Sequence, residues 1–329
     1  MIILAIVTMS FSACAQSPDC FQKNVFCAAL VTDTLGINDH GLNQASWSGL
    51  QQSKAKGVVD HIAYIESVDS RDYDKNIAFF IKQGYDVIIT SNVGLQNATL
   101  RSADLYTASI FIGINQTGEE LKPNFISVTF PEDQMGFFAG ALATHLTGTN
   151  IVGGVCETSG IDAMWRYCEG FRAGVKFENP SVKPLIVYRD NGSPSKLFID
   201  NKWGYDNAQT LIHDGADVIF AAGGGTATGA LQAAEDGKIK SIGAEKDQAA
   251  VLADKSPGVV TSIFGRADVT VQELMRRVKS GDLSDATMSP FGYVSLDSLL
   301  SQDLVAHLNE LLAGLTNQTI KTGVSPQKP

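Results

Sequence analysis

Basic residues are scarce in this chain of 329 residues. Its 25 Lys and Arg are outnumbered by 35 Asp and Glu, which gives a formal net charge of −10 and an isoelectric point near 4.9. A surface that binds nucleic acid needs clusters of basic side chains to contact phosphates. The charge balance therefore argues against a nucleic-acid partner, although one local cationic pocket stays compatible with it.

The common signatures of catalysis and of metal binding are missing as well. The chain contains no G-x-S-x-G, no H-E-x-x-H and no P-loop lysine motif, so we expect no enzymatic activity and no cofactor. It has no C-x-x-C pair and its five histidines are scattered, so we expect no structural zinc site. Hydrophobic residues at 44% indicate a globular protein, and this length favours two lobes over one core.

The longest apolar run lies at the N-terminus. Residues 1–11 are almost wholly apolar, but this run is too short to span a bilayer. Small residues and then Cys14 follow, a pattern typical of a bacterial lipoprotein signal. We therefore expect residues 1–13 to be a signal peptide, Cys14 to be lipidated, and the protein to be anchored on the outer side of a cell membrane. Simple secretion after cleavage near Ala13 or Ala15 is the alternative.

Four further cysteines agree with export to an oxidising compartment. Cys20, Cys27, Cys156 and Cys168 allow three pairings, and the sequence alone selects none of them. Proximity along the chain favours Cys20 with Cys27 and Cys156 with Cys168. Free buried thiols are the alternative.

Short apolar segments alternate with helix-length segments throughout the rest of the chain. The predicted strands are 26–31, 60–65, 86–90, 109–114, 151–155, 185–188, 216–220 and 239–243. This alternation is typical of βαβ units and a parallel sheet, so the predicted class is α/β. The helix, glycine and strand that end at Ile88 recur 131 residues later at Ile219, which favours two duplicated α/β lobes.

Polar side chains follow the predicted strands of both halves. Ligands bind outside the carboxyl ends of parallel strands and between domains, so these positions are candidates for a cleft between the lobes. Their acidic and glycine-rich character suits a neutral or hydroxylated ligand, with Lys246 and Arg266 as the nearby cations. Loop-forming, helix-capping and tight-turn roles are the alternatives for Asp33, Asp39, Asp133 and residues 223–225.

Residues 33–44, Asp-Thr-Leu-Gly-Ile-Asn-Asp-His-Gly-Leu-Asn-Gln, resemble the basic membrane lipoprotein (BMP) family of substrate-binding proteins of ABC importers, which includes purine nucleoside receptors. Further matches lie at 130–136, 139–143, 170–176, 215–220, 223–224, 245–248, 261–262, 266 and 268. The resemblance implies two Rossmann-like lobes of the type I periplasmic-binding-protein fold that close on a ligand. We expect an N-terminal lobe of 25–127 plus about 266–288, a C-terminal lobe of 128–262 plus about 289–318, and a flexible tail of 319–329.

The resemblance also implies a purine clamped between two aromatic rings, with its ribose held by carboxylates. Asp33 and Asn43 fall on two binding positions of the first loop, and Phe198 falls on the second stacking ring. Three departures leave the exact ligand open: Leu42 replaces the first stacking Phe, Glu245 replaces an aspartate, and Gly265 replaces a lysine. The candidate ligand-binding residues are Asp33, Asn38, Asp39, Leu42, Asn43, Ser91, Asn92, Asp133, Trp165, Phe198, Gly224 and Glu245.

The expected function is delivery of a small polar solute, such as a nucleoside, to the permease of an ABC importer. A ligand-sensing domain that docks on a signalling receptor is an alternative with the same fold. An NAD-dependent oxidoreductase is a second alternative, because Gly223-x-Gly225 follows a strand and Glu245 lies 20 residues after Gly225. The spacing to Gly229 is one residue too long for the strict dinucleotide fingerprint, which argues against that reading.

Overall fold

The computed structural model describes residues 19–117, 122–252, 258–283, 286–294 and 300–328. The predicted signal peptide, 1–13, and the predicted lipidation site, Cys14, lie outside the described residues. Among the helices that are described, none has the length and apolar character needed to cross a bilayer.

The first lobe is built on a six-stranded sheet in which all neighbouring strands are parallel. Its strands, in order across the sheet, are β11 (Ala286–Met288), β5 (Phe125–Thr129), β4 (Ile110–Ile114), β3 (Val87–Ser91), β1 (Cys27–Val31) and β2 (His61–Ile65). Its helices are α1 (Leu42–Ala55), α2 (Tyr73–Lys82), α3 (Gln96–Leu105) and α9 (Ala267–Lys279). Strands β1 and β3 are buried throughout, because helices cover both faces of the sheet.

The second lobe repeats this plan. Across its sheet run β12 (Phe291–Tyr293), β10 (Val259–Gly265), β9 (Lys240–Ala244), β8 (Val218–Ala222), β6 (Ile151–Cys156) and β7 (Lys183–Tyr188). Only the pairing of β12 with β10 is antiparallel within this sheet of described residues. The helices are α4 (Glu132–Leu146), α5 (Asp162–Glu178), α6 (Asn201–His213), α7 (Gly224–Asp236), α8 (Gln248–Leu252) and α10 (Gln302–Thr316).

Small residues let α4 and α5 pack backbone to backbone. A Cβ atom built on Gly136 would lie 2.0 Å from the Tyr167 carbonyl oxygen, and one on Gly140 would lie 2.1 Å from that of Phe171. No larger residue fits either position without separating the helices. Glycines in two of the matched segments, 130–136 and 139–143, are thus explained by helix packing.

The described chain passes between the lobes at three adjacent points, around 130, 265 and 289. The crossovers are joined by backbone hydrogen bonds, since Ser289 N donates to Thr129 O at 2.8 Å and Arg266 N donates to Pro290 O at 2.7 Å. These three side-by-side connections restrict the relative motion of the lobes to bending at the crossovers.

The predicted α/β class with two lobes is confirmed. The strands β5, β10, β11 and β12 were not among the predicted ones, and two of these, β11 and β12, are only three residues long. Such strands carry too few residues to show a periodicity.

The segment expected to form a flexible tail, 319–329, packs against the second lobe over its described residues. Ile320 N donates to Gly314 O at 2.9 Å, and Thr322 Oγ1 donates to Asp133 Oδ2 at 2.6 Å. The apolar Ile320 side chain lies against the core, which holds the segment in place.

Two disulfides join the cysteine pairs that are nearest along the chain. Cys20 is bonded to Cys27 at the start of β1, and Cys156 at the end of β6 is bonded to Cys168 in α5. The second bridge ties a strand next to the cleft to the helix that packs behind it.

Candidate functional site

The carboxyl ends of the two sheets meet at a cleft between the lobes. Loops after β1 and β9 touch across it, because Asp247 N donates to His40 O at 3.0 Å. Beside this contact lies a cavity of about 390 Å³. Its walls come from both lobes, with His40, Gln44 and Ser48 on one side and Glu245, Asp247 and Phe264 on the other.

Asp33 and Asn43 form a hydrogen-bonded pair in the first lobe, next along the chain to the residues 40–48 that line the cavity but not among its lining residues. Asn43 Nδ2 donates to Asp33 Oδ1 at 2.8 Å, and Leu35 N donates to the same oxygen at 3.0 Å. Burial raises the pKa of Asp33 above its usual value, and the hydrogen bond from Asn43 opposes that rise. The structure thus brings together two residues that the sequence placed ten positions apart.

Two polar atoms without partners lie in this region. Asn43 Oδ1 and Ser91 Oγ are buried and accept or donate no hydrogen bond among the described residues, whereas the Asn92 side chain is close enough to Asp33 to help lower the pKa of that carboxyl. Asn92 adopts a left-handed backbone conformation with φ of 76°, which turns the chain sharply after β3. An unsatisfied buried polar group costs about 1–3 kcal/mol, so the first lobe holds unused hydrogen-bonding capacity at the cleft.

Asp39 has a structural role in this conformation. Its two carboxylate oxygens accept from the backbone N–H groups of Gly41, Asn43 and Gln44 at 2.9–3.1 Å. These are orphan donors at the start of α1, so Asp39 caps that helix, which is the alternative considered for it from the sequence. Asn38 is exposed, and Leu42 packs half-buried against the core.

Glu245 forms the second-lobe wall. Its Oε2 accepts from Gly223 N at 3.2 Å and from Gly224 N at 3.1 Å, at the start of α7. The positive end of a helix stabilises a carboxylate at this position. In the part of the chain that the structure describes, Oε1 of Glu245 makes no hydrogen bond. One oxygen is fixed by the helix, and the other is available to a ligand.

Phe198 is held in a strained conformation by a buried ionic network. Its φ is 62°, and its N–H donates to Glu157 Oε2 at 3.0 Å. Glu157 is fully buried and also accepts from Arg189 Nη1 at 2.8 Å and from Thr226 Oγ1 at 2.6 Å. Arg189 in turn donates to Asp200 Oδ2 at 3.2 Å. The network fixes the loop that carries Phe198, because a left-handed phenylalanine persists only where its surroundings enforce it.

Glu132 carries a carboxyl group that sequence reasoning missed. It begins α4, one position before the predicted Asp133. Burial raises its pKa to about 7, and the negative charges of Asp133 and Glu245 act in the same direction, while Arg166 opposes them. Glu132 is thus a buried carboxyl whose charge and that of Glu245 influence each other, but it does not line the cavity described above.

Two predicted residues, Asp133 and Trp165, face the C-terminal segment. Asp133 accepts from Thr322, as described above. Trp165 is 1% exposed, and its Nε1 donates to Asp162 Oδ1 at 3.1 Å. With residues 323–325 it lines a separate cavity of about 280 Å³. Trp165 thus lines this cavity and not the one between the lobes.

One cation that lines the cavity is already paired. Arg266 makes a two-pronged ion pair with Asp268, with both N–O distances at 2.8 Å. Lys246 is a second cation beside the cleft, because its Cβ lies 3.2 Å from a Cβ built on Gly41.

The fold is similar to that of solved solute-binding proteins. The solved structure of an ABC transporter solute-binding protein from Conexibacter woesei DSM 14684 matches it with a TM-score of 0.73 and 21% identity, over 90% of this chain and 98% of that one. The chain belongs to the Bmp family, described as ABC transporter substrate-binding proteins of the PnrA-like type, whose model matches residues 26–293. Membership implies a small-molecule ligand and a transporter permease as partner, and the family is a binding class and not an enzyme class.

Two curated relatives agree with this membership. The "CD4+ T-cell-stimulating antigen" of Listeria monocytogenes is 29% identical over 92% of this chain and 89% of its own length. The "ABC transporter nucleoside-binding protein BmpA" of Lactococcus lactis subsp. cremoris is 28% identical over 79% of this chain and 77% of its own length.

Proposed function

We propose that this protein binds a nucleoside, or a closely related uncharged solute, in the cleft between its lobes and delivers it to the permease of an ABC importer. The observation that carries the proposal is the group of Asp33 and two buried atoms without partners, Asn43 Oδ1 and Ser91 Oγ. This group offers carboxylate and amide oxygens as acceptors and a hydroxyl that can donate or accept. A heterocyclic base or a sugar presents such mixed groups along one edge.

The charges at the cleft favour an uncharged ligand. Glu245 and Asp33 are carboxyl groups, and the guanidinium of Arg266 is paired with Asp268, which leaves Lys246 as the other nearby cation. A phosphate group would be repelled here, whereas ribose hydroxyls can donate to carboxylate oxygens. A nucleoside is thus favoured over a nucleotide. The printed name of the Lactococcus relative, a nucleoside-binding protein, agrees with this choice.

Ligand binding is coupled to closure of the lobes. Asp33 and Asn43 belong to the first lobe, while Phe198 and Glu245 belong to the second. A ligand that contacts both walls stabilises the closed form more than the open form, and only that difference shifts the equilibrium. The three adjacent crossovers around 130, 265 and 289 supply the hinge. The permease then distinguishes loaded from empty protein by its shape.

Native mass spectrometry of the protein purified without added ligand, followed by calorimetric titration, tests the proposal. Adenosine, guanosine, inosine and uridine are compared with adenine, ribose and AMP. We expect one nucleoside to bind per chain, and AMP to bind at least about tenfold more weakly because of the acidic cleft. Equal affinity for AMP, or binding of ribose alone, would contradict the proposed ligand class.

We propose that the protein acts from the outer side of a membrane, where a lipid on Cys14 anchors it. The support is the apolar run followed by small residues and Cys14 in the sequence. Expression of the whole chain in a bacterial host, with and without Cys14→Ser, tests it. The unchanged protein should fractionate with membranes and the variant should not. Equal distribution of the two would exclude lipidation of this residue.

A further inference from the structure

Three helices of the second lobe bring two histidines and one glutamate together. His145 lies near the end of α4, Glu178 is the last residue of α5, and His307 lies in α10. His145 Nε2 is 2.8 Å from Glu178 Oε1, and His307 Nε2 is 2.9 Å from the same oxygen. The cluster is far from the cleft, because His145 follows Glu132 by 13 residues, about 20 Å along α4.

The chemistry of these side chains is that of a metal site. Imidazole nitrogens and a carboxylate oxygen are ligands that zinc accepts in tetrahedral sites. The ligand atoms of all three residues lie within 4.8 Å of one another. We propose that His145, Glu178 and His307 bind one divalent transition-metal ion, with Zn²⁺ as the preferred ion and water as the fourth ligand.

The two distances to Glu178 require only a small adjustment. Metal–ligand bonds of about 2.0–2.1 Å at tetrahedral angles place neighbouring ligand atoms about 3.3 Å apart. Both nitrogens are now about half an ångström closer to Glu178 Oε1 than that. Rotation of exposed side chains can make this change. The side chains of His145 and His307 are 35% and 44% exposed, so an ion and its water can reach the cluster.

Without a metal ion, the two imidazoles are joined to Glu178 by hydrogen bonds. An ionised carboxylate only accepts, so each Nε2 donates an N–H to Glu178 Oε1. On binding, the metal takes the Nε2 lone pair of each neutral imidazole, whose proton then resides on Nδ1. No redox step is involved. A bound ion would fasten α10 to the α4–α5 pair and so stabilise the lobe.

Titration of the untagged full chain with Zn²⁺, followed by calorimetry and by competition with a chromophoric chelator, tests the site. We expect one Zn²⁺ per chain, and visible absorption of tetrahedral Co²⁺ when cobalt is used instead. His145→Ala, His307→Ala and Glu178→Gln should each weaken Zn²⁺ binding at least about tenfold. His213→Ala is the matched control, because His213 is exposed on α6 beside Asp214, and it should bind like the unchanged protein.

Two results would overturn the site. One is the absence of stoichiometric Zn²⁺ binding by the unchanged protein. The other is unchanged affinity in the double variant His145→Ala/His307→Ala. Circular dichroism and solute titration of each variant show whether the fold and the cleft persist, so that loss of metal binding is not confused with unfolding. The result does not depend on the identity of the transported solute.

Discussion

The ring of Phe130 occupies the space that a side chain at Gly265 would need. A Cβ atom built on Gly265 would lie 2.1 Å from both Cδ1 and Cε1 of that ring. The two residues belong to adjacent crossovers, between β5 and α4 and between β10 and α9. The absence of a side chain at residue 265 therefore allows the Phe130 ring to pack between these two crossovers.

Substitution at Gly265 should destabilise the protein unless Phe130 is made smaller. We expect Gly265→Ala to lower the free energy of unfolding by about 1–3 kcal/mol, because the ring must move. In a protein that already carries Phe130→Leu, Gly265→Ala should lower the free energy of unfolding by less. The effects of the two substitutions should therefore be non-additive. Urea unfolding of both single variants and the double variant measures this coupling. Strict additivity would show that the ring and residue 265 do not compete for space.

Loss of Arg189 should be among the more damaging single changes in the second lobe. Arg189→Met leaves the buried carboxylate of Glu157 without its cation, which costs about 3–5 kcal/mol. Arg101→Met is the matched control, because Arg101 pairs with Asp74 on the exposed surface, and its loss should cost less than about 1 kcal/mol. Denaturant unfolding measures both values. Similar small effects for the two variants would mean that the network contributes little to stability.

Stability should fall as the pH rises through the range in which Glu132 titrates. Its pKa is about 7 in the folded protein and near 4.5 without the fold. Between these values the unfolded chain releases the proton and the folded chain keeps it, so rising pH favours unfolding by up to about 3 kcal/mol. Glu132→Gln should remove this part of the pH dependence. Thermal unfolding from pH 4.5 to 8 compares the two proteins, and identical slopes would contradict the shifted pKa.

Much of the fold follows from the sequence. Buried parallel strands such as β1 and β3 read as short apolar runs, and their spacing shows where helices intervene. The duplication of the lobes is visible in the repeated helix, glycine and strand. What the sequence does not show is which three-residue strands complete each sheet, and how residues 318–328 pack. These depend on tertiary contacts between distant segments.

The site was less predictable than the fold. Asp33, Asn43 and Glu245 could be predicted from the sequence because they follow strands and match a family pattern. The Glu157–Arg189 network and the His145–Glu178–His307 cluster could not be predicted, since their members are far apart in the chain and meet only in the folded protein. Scattered histidines show no ligand spacing, so the sequence alone does not indicate a metal site. The position of Trp165 beside residues 323–325 also depends on how the C-terminal segment packs, which local sequence does not show.

The central claim is that Asp33 and Glu245 hold one solute from opposite lobes. Calorimetric titration with the nucleoside that binds most tightly, applied to Asp33→Asn, Glu245→Ala and the double variant, tests it most directly. Asp214→Asn, a change at an exposed carboxylate between the end of α6 and the start of β8, at the opposite end of the sheet from the cleft, is the control. We predict a loss of about 1–3 kcal/mol in binding free energy for each single variant, and no change for the control. Unchanged affinity in both single variants, in proteins that remain folded, would contradict the account.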